Sequence, residues 1–172
     1  MHDEDELLDL VNDKDEVIGT IVRSQIGQKD GYVRAAEMLI QNDKGELWIP
    51  RRTMQKRIAP GGLDFSGAGH VSSGEDYKTS LYREIEEELN LKIDESKLKL
   101  LKKFAPRPDL PPYFRAVYMY YDNAAPNYNP DDFSEYLWIK PQDLLKKLKA
   151  GEPAKQSLTE TIEYLVAQEG VA

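Results

Sequence analysis

The chain is expected to fold as an α/β layered domain, and three observations predict it. Seven short apolar runs of strand character are interspersed with three stretches of helical periodicity, so strands and helices interleave along the chain. The 172 residues suffice for one domain with a proper core. Asn42-Asp43-Lys44-Gly45, standing between two of the apolar runs, supplies a tight turn and ties its neighbours into a hairpin.

The elements follow in order. Residues 1–6, within the acidic opening MHDEDELLDL, are expected to be disordered, with the domain occupying 7–172. Strands are expected over about 7–11 and 16–22, and over 32–41 and 46–51 on either side of the hairpin turn. Ser72-Ser73-Gly74 opens a helix over about 75–89, whose Leu81, Ile85 and Leu89 recur every four residues and make a stripe to bury. Further strands are expected over about 98–105, 114–121 and 135–139. Helices over about 141–149 and 156–168 start at Lys140-Pro141, where proline suits the first turn, and at Ser157, read as a cap.

Composition excludes several functions. A net charge of −8 argues against binding DNA or RNA through a broad basic face, but not against small phosphorylated substrates, because bound cations can bridge an acidic site to phosphate. With no cysteine there is no thiol nucleophile, disulfide or Cys-based zinc site. No apolar run approaches the roughly 20 residues that span a membrane, and the acidic start lacks the basic-then-apolar layout of a secretory signal. A cytoplasmic setting is expected.

The most informative segment is Gly69 to Leu91, GHVSSGEDYKTSLYREIEEELNL. On a helix, Glu84 and Glu88 stand one above the other with Glu87 about 60° from Glu84, while the Leu81/Ile85/Leu89 stripe is centred about 80° from the Glu84/Glu88 edge. The helix can thus bury the stripe while the acidic edge lines a cleft. Three carboxylates on one edge repel unless something strongly positive sits there. Hard divalent cations such as Mg2+ take oxygen ligands of this kind, with phosphate or diphosphate completing the shell.

This segment resembles the Nudix box: Gly69, Glu75, Arg83, Glu84, Ile85, Glu87, Glu88 and Leu91 stand at the matching offsets. Asn90 replaces the usual glycine at a position where a helix ends in the left-handed region, which asparagine tolerates best after glycine. LDLVNDKDEVIGTIVR, GELWIPRR and NPDDFSEYLWIKPQDLL resemble a Nudix subgroup related to isopentenyl diphosphate isomerases, which contains small nucleoside di- and triphosphate hydrolases. The resemblance implies a mixed β-sheet sandwiched between α-helices. It also implies Mg2+, with Mn2+ as a substitute, acting on a diphosphate linkage of a nucleoside di- or triphosphate or a related derivative. Glu84, Glu87 and Glu88 carry over as metal ligands, with Glu84 or Glu88 as a base toward water. Glu75 carries over as a nearby carboxylate that holds a further metal directly or through water. Arg83 is expected to orient one of these carboxylates, and Gly69 to act through its backbone, with its carbonyl turned to the metal and its missing Cβ permitting a tight loop. The family partner is a small phosphorylated molecule; a monomer and a homodimer both stand open.

Substrate-binding candidates lie outside the box. Arg51 and Arg52 end a strand beside Lys56 and Arg57, and strand alternation sends only one of the two arginines toward the cleft. Tyr113, Phe114 and Arg115 follow the stiff PRPDLPP segment, where an aromatic serves either to stack on a base or to pack. Asn129-Pro130-Asp131 reads as a turn beside Asp132 and Glu135. His70 reads as a loop or core histidine; only it and His2 exist, and Ala68 stands where the related isomerases carry a cysteine, so isomerisation is disfavoured. A non-catalytic nucleotide-binding Nudix module is the alternative, but such modules usually lose box carboxylates, and here all four are present.

Overall fold

The computed structural model describes residues 3–170. His2 therefore lies outside the described residues. Residues 3–6 depart from the disorder expected through residue 6. Asp3–Asp5 form one turn of 3-10 helix, and the Glu6 carbonyl accepts the Arg23 N–H at 2.8 Å.

The chain then runs β1 (Leu7–Val11), β2 (Val17–Val22), β3 (Val33–Gln41), β4 (Leu47–Arg52), β5 (Gly67–His70), α1 (Tyr77–Leu89), β6 (Leu98–Phe104), β7 (Tyr113–Tyr121), β8 (Phe133–Ile139), α2 (Pro141–Lys149) and α3 (Gln156–Glu169). The strands β1 and β2 pair as a separate hairpin, and the main sheet has the order β6-β7-β3-β4-β8, with β5 also paired to β3. The β3–β7 pair is parallel and the other main-sheet pairs are antiparallel, so the sheet is mixed. One face buries Leu39, Ile49, Phe65 and Val117 under α2 and α3 through Leu144, Leu158 and Ile162. The other buries Met38, Ile40 and Trp48 under the Leu81/Ile85/Leu89 stripe of α1. The sheet is thus sandwiched between helices. Truncating one such residue, Ile85 for example, is expected to cost about 2–5 kcal/mol.

Local chemistry explains the element ends. The β3–β4 turn closes where Asn42 Oδ1 accepts the Lys44 and Glu46 N–H groups at 3.1 and 2.9 Å and Gly45 takes φ 76°. The helix α1 starts two residues later than position 75 because the Asp76 side chain caps it, accepting the Thr79 N–H at 2.7 Å. It ends at Asn90 with φ 50° and ψ 36°. Pro141 opens α2 at the first turn. Ser157 does not cap α3: Lys155 holds that position, and Ser157 lies inside the helix, buried over Glu37.

Among the strands of the described residues, β5 is the one that sequence patterning passes over. Gly-Ala-Gly-His has no β-branched or alternating character. Tertiary packing makes it a strand: Ala35, Ala36, Glu37 and Met38 of β3 pair with His70, Gly69, Ala68 and Gly67. The pairing also shapes the molecule. β3 meets β4 only at Ile40↔Trp48 and Gln41↔Leu47, then passes the same edge to β5. The sheet forks there, and the fork opens a cavity.

Candidate active site

The cavity measures about 1040 Å³ and takes walls from both limbs of the fork and from α1. Arg83, Glu84, Glu87 and Glu88 come from the helix, Ala68, Gly69 and His70 from β5, and Arg52 from β4. Lys56, Asp132 and Lys155 also line it.

The helix is held unusually near β5, which explains the glycines. A Cβ on Gly67 would stand 2.2 Å from Ile85 Cδ1, and one on Gly69 would stand 2.3 Å from Glu84 Cδ. Gly69 is not at positive φ, so its missing side chain serves close approach rather than the tight loop expected of it. Its carbonyl also departs from expectation. Ala68 N donates to Glu88 Oε1 at 3.0 Å, and Val71 N donates to Arg34 O of β3 at 2.9 Å. Backbone groups alternate along a strand, so Ala68 presents its N–H and carbonyl to the open edge, and Gly69 turns both toward β3.

Burial dominates the electrostatics of the carboxylates. It raises Glu84 to about 7, although the Arg83 guanidinium pulls the other way. It raises Glu88 to about 8 against the pull of the Ala68 N–H, with Asp64 and Glu84 adding repulsion. Glu87 stands exposed at the cavity's rim. Burial together with the nearby Arg23 and Lys155 charges lowers His70 to about 3, which keeps its imidazole neutral. His70 is a buried strand residue, set edge-on to Tyr113 with ring centroids 5.0 Å apart.

Arg83 links the acidic groups. It donates to Glu84 Oε1 at 2.8 Å through Nη1, and through Nη2 to Ser72 Oγ at 3.0 Å and Glu75 Oε2 at 3.3 Å. Glu75 does not line the cavity as a further ligand would; it stands behind Arg83 and also accepts the Ser80 hydroxyl at 2.5 Å. Among the described residues, no three acidic or histidine side chains converge into a ready metal-binding group. The donor chemistry nevertheless suits a hard cation. Glu84, Glu87 and Glu88 offer only oxygen, two of the three are held partly or fully out of water, and no positive side chain neutralises Glu88.

The strand arginines separate as alternation requires. Arg52 enters the cavity, paired with Asp64 Oδ2 at 2.5 Å. Arg51 does not reach the cavity: it is tied to Glu135 at 2.9 Å and Glu152 at 2.8 Å. Lys56 does line the cavity and pairs with Asp132 at 2.6 Å. Two further candidates are displaced. Phe114 packs edge-on against Tyr32 at 5.8 Å, away from the cavity, and Tyr113 is the aromatic that lines it. Arg115 is buried and pairs with Glu37 Oε1 at 2.6 Å and with Glu160, so it stands behind Glu37. Asn129 does form the expected turn, its Oδ1 accepting the Asp131 N–H at 3.0 Å, and Asp132 extends from it to the cavity.

Sequence patterning missed Glu6, Glu37, Asp64 and Lys155. Glu37 left one legible signal, a charge inside the apolar run AAEMLI, which demands a buried partner. Glu6, Asp64 and Lys155 left none.

Comparison with known proteins bears on the whole chain. A NUDIX domain family model matches residues 31–161. A Nudix hydrolase of Deinococcus radiodurans is 40% identical over 165 residues, 96% of each chain. An uncharacterised Nudix hydrolase of a Nostoc species is 42% identical over 163 residues, covering 94% of this chain and 96% of the relative. A crystal structure from D. radiodurans superposes with TM-score 0.84 at 40% identity, covering 92% of this chain and 98% of that one. A MutT protein of Methanosarcina mazei shares the fold at TM-score 0.63 and 21% identity, over 80% of this chain and 95% of that one.

Proposed function

We propose, from the premise that the chain belongs to the Nudix hydrolase family, that it hydrolyses a diphosphate linkage in a nucleoside di- or triphosphate or a related nucleoside diphosphate derivative, with Mg2+ as its metal and Mn2+ as a substitute. One observation carries the reading: the carboxylates Glu84 and Glu88 line the same cavity as the cationic side chains Arg52, Lys56 and Lys155. That combination suits a substrate whose phosphates meet both cationic side chains and an acid-held cation.

Glu84, Glu87 and Glu88 would hold the metal, which when bound neutralises phosphate charge and acidifies a water. Glu84 or Glu88 takes the proton of the attacking water. Arg83, held by Glu75, fixes the direction of Glu84. Arg52 and Lys56 bind phosphate oxygens, exchanging their present carboxylate partners for the substrate. Water adds to phosphorus, the bridging P–O bond breaks, and the products are an X–phosphate and phosphate or pyrophosphate. The catalytic unit proposed is one domain over residues 7–172, working in the cytoplasm on a small molecule, as a monomer or homodimer.

The test is release of phosphate and pyrophosphate from nucleoside di- and triphosphates, nucleotide sugars and dinucleoside polyphosphates, with Mg2+, Mn2+ or EDTA. Metal-dependent turnover that disappears in Glu87→Gln/Glu88→Gln supports the reading. A folded, metal-binding protein that turns over none of them overturns it.

A further inference from the structure

The matched family domain begins at residue 31, yet a side chain from before it enters the cavity wall. Glu6 stands just ahead of β1, and β1 is laced to the loop leading into α1. Leu8 bridges Ser72, Ser73 N donates to Leu7 O at 2.8 Å, and Asp9 accepts the Ser73 hydroxyl at 2.8 Å and the Gly74 N–H at 3.2 Å. Within this lacing, the Ser72 hydroxyl donates to Glu6 Oε1 at 2.6 Å, and Ser72 Oγ accepts from Arg83 Nη2 at 3.0 Å.

The direction of this chain is forced by chemistry. An ionised glutamate only accepts, an arginine only donates, and a serine hydroxyl has one proton to give. Glu6 takes that proton, which leaves the serine lone pairs facing Arg83. The guanidinium then has three fixed points: Ser72, Glu75 and Glu84. Two carboxylates alone would leave it free to tilt between them; the third point sets its plane. Arg23 also approaches Glu6, at 3.7 Å.

We propose that Glu6 is a positioning residue that fixes the Arg83 guanidinium through the Ser72 hydroxyl, and thereby sets the direction of Glu84. The N-terminal hairpin is then part of the catalytic apparatus rather than an appendage to it. The effect on turnover rests on the hydrolase reading given above, but the effect on Arg83 does not.

The experiment has two readouts. In the metal-free, substrate-free protein, 15N spectra of the arginine side chains report rotation of the Arg83 guanidinium. Wild type is expected to show separate, slowly exchanging Nη signals. Glu6→Leu and Ser72→Ala are each expected to merge them, and Glu6→Gln, whose amide oxygen still accepts the serine proton, to restore them. Separate Nη signals that persist in both Glu6→Leu and Ser72→Ala overturn the proposal, whether or not the protein hydrolyses anything. In turnover, Glu6→Leu and Ser72→Ala are each expected to lower kcat by about three- to tenfold, the scale of one hydrogen bond, and Glu6→Gln to stay near wild type. The double variant Glu6→Leu/Ser72→Ala is expected to lose no more than the worse single one, because both act through one contact. Multiplicative losses, or an undiminished Glu6→Leu effect in an Arg83→Ala background, overturn it. Ser72→Ala removes only a hydroxyl, so the test survives if Glu6→Leu disturbs the hairpin. Absence of wild-type turnover on every substrate would count against the hydrolase reading and leave the spectral test standing.

Discussion

Glu84 lies against the backbone of β5 at the position where Gly69 has no side chain. A Cβ there would sit 2.3 Å from both Cγ and Cδ of Glu84, far inside contact distance. The carboxylate that Arg83 grips is therefore also pinned from below by a strand. The first prediction follows from this contact. Gly69→Ala forces Glu84 away and is expected to cost about 1–3 kcal/mol of stability, together with a loss of divalent-metal affinity. Thermal unfolding and Mn2+ titration measure the two. Gly19→Ala, where an added Cβ meets nothing within 4 Å, is the control expected to leave metal affinity intact.

Metal stabilisation is expected to depend on pH. Burial raises Glu84 to about 7 and Glu88 to about 8, from an ordinary value of 4.5. Carboxyls with raised values favour the fold while protonated, so the metal-free protein keeps this stability below pH 4.5 and loses it as pH rises through about 8. A divalent cation binds the ionised forms and reverses the loss. The rise in Tm on adding Mg2+ is thus expected to be larger at alkaline pH than in mildly acidic buffer. Equal rises at both would mean that these groups are already ionised throughout.

The two neighbouring arginines are expected to behave differently. Arg52→Lys keeps a charge beside Asp64 but loses the forked geometry, and is expected to raise KM by about tenfold with a smaller change in kcat. Arg51 pairs with partly exposed Glu135 and Glu152 outside the cavity, so Arg51→Ala is expected to cost about 0–1 kcal/mol and to leave KM in place. Steady-state kinetics on the preferred substrate separates them; a KM shift for Arg51→Ala would place it at the substrate after all.

Arg115 is expected to matter for folding rather than for binding. It and Glu37 are 4% and 3% exposed, so removing Arg115 strips Glu37 of its buried ion-pair partner. Arg115→Met is expected to destabilise by about 3–5 kcal/mol, and Glu37→Met/Arg115→Met to recover much of that loss. Denaturant unfolding of both variants checks this; a double variant as unstable as the single one would show that Glu160 or Ser157, not Glu37, is the partner that counts.

Much of this molecule was legible from local pattern. The bounds of α2, and to within two residues those of β3, β4 and α1, follow from the apolar runs, the Asn42–Gly45 turn, the Leu81/Ile85/Leu89 stripe and Pro141. Each depends on residues within a turn or two of one another. The alternation rule also assigned a single arginine to the cleft, though not which one, because that depends on the register of β4 against β8.

By itself, then, the sequence determined the layered α/β class, the family, and the run of carboxylates on one helix edge, because those features rest on short-range periodicity and on spacing within a single segment. Only the tertiary structure decided that Gly67–His70 form a strand, that Gly69 serves Glu84 rather than a loop, that Tyr113 and not Phe114 lines the cavity, and that Glu6 reaches Ser72. The physical reason is common to all four. Each is set by contact between segments brought together only when the sheet forks and α1 settles on it, with partners 15 to 82 residues apart in the chain.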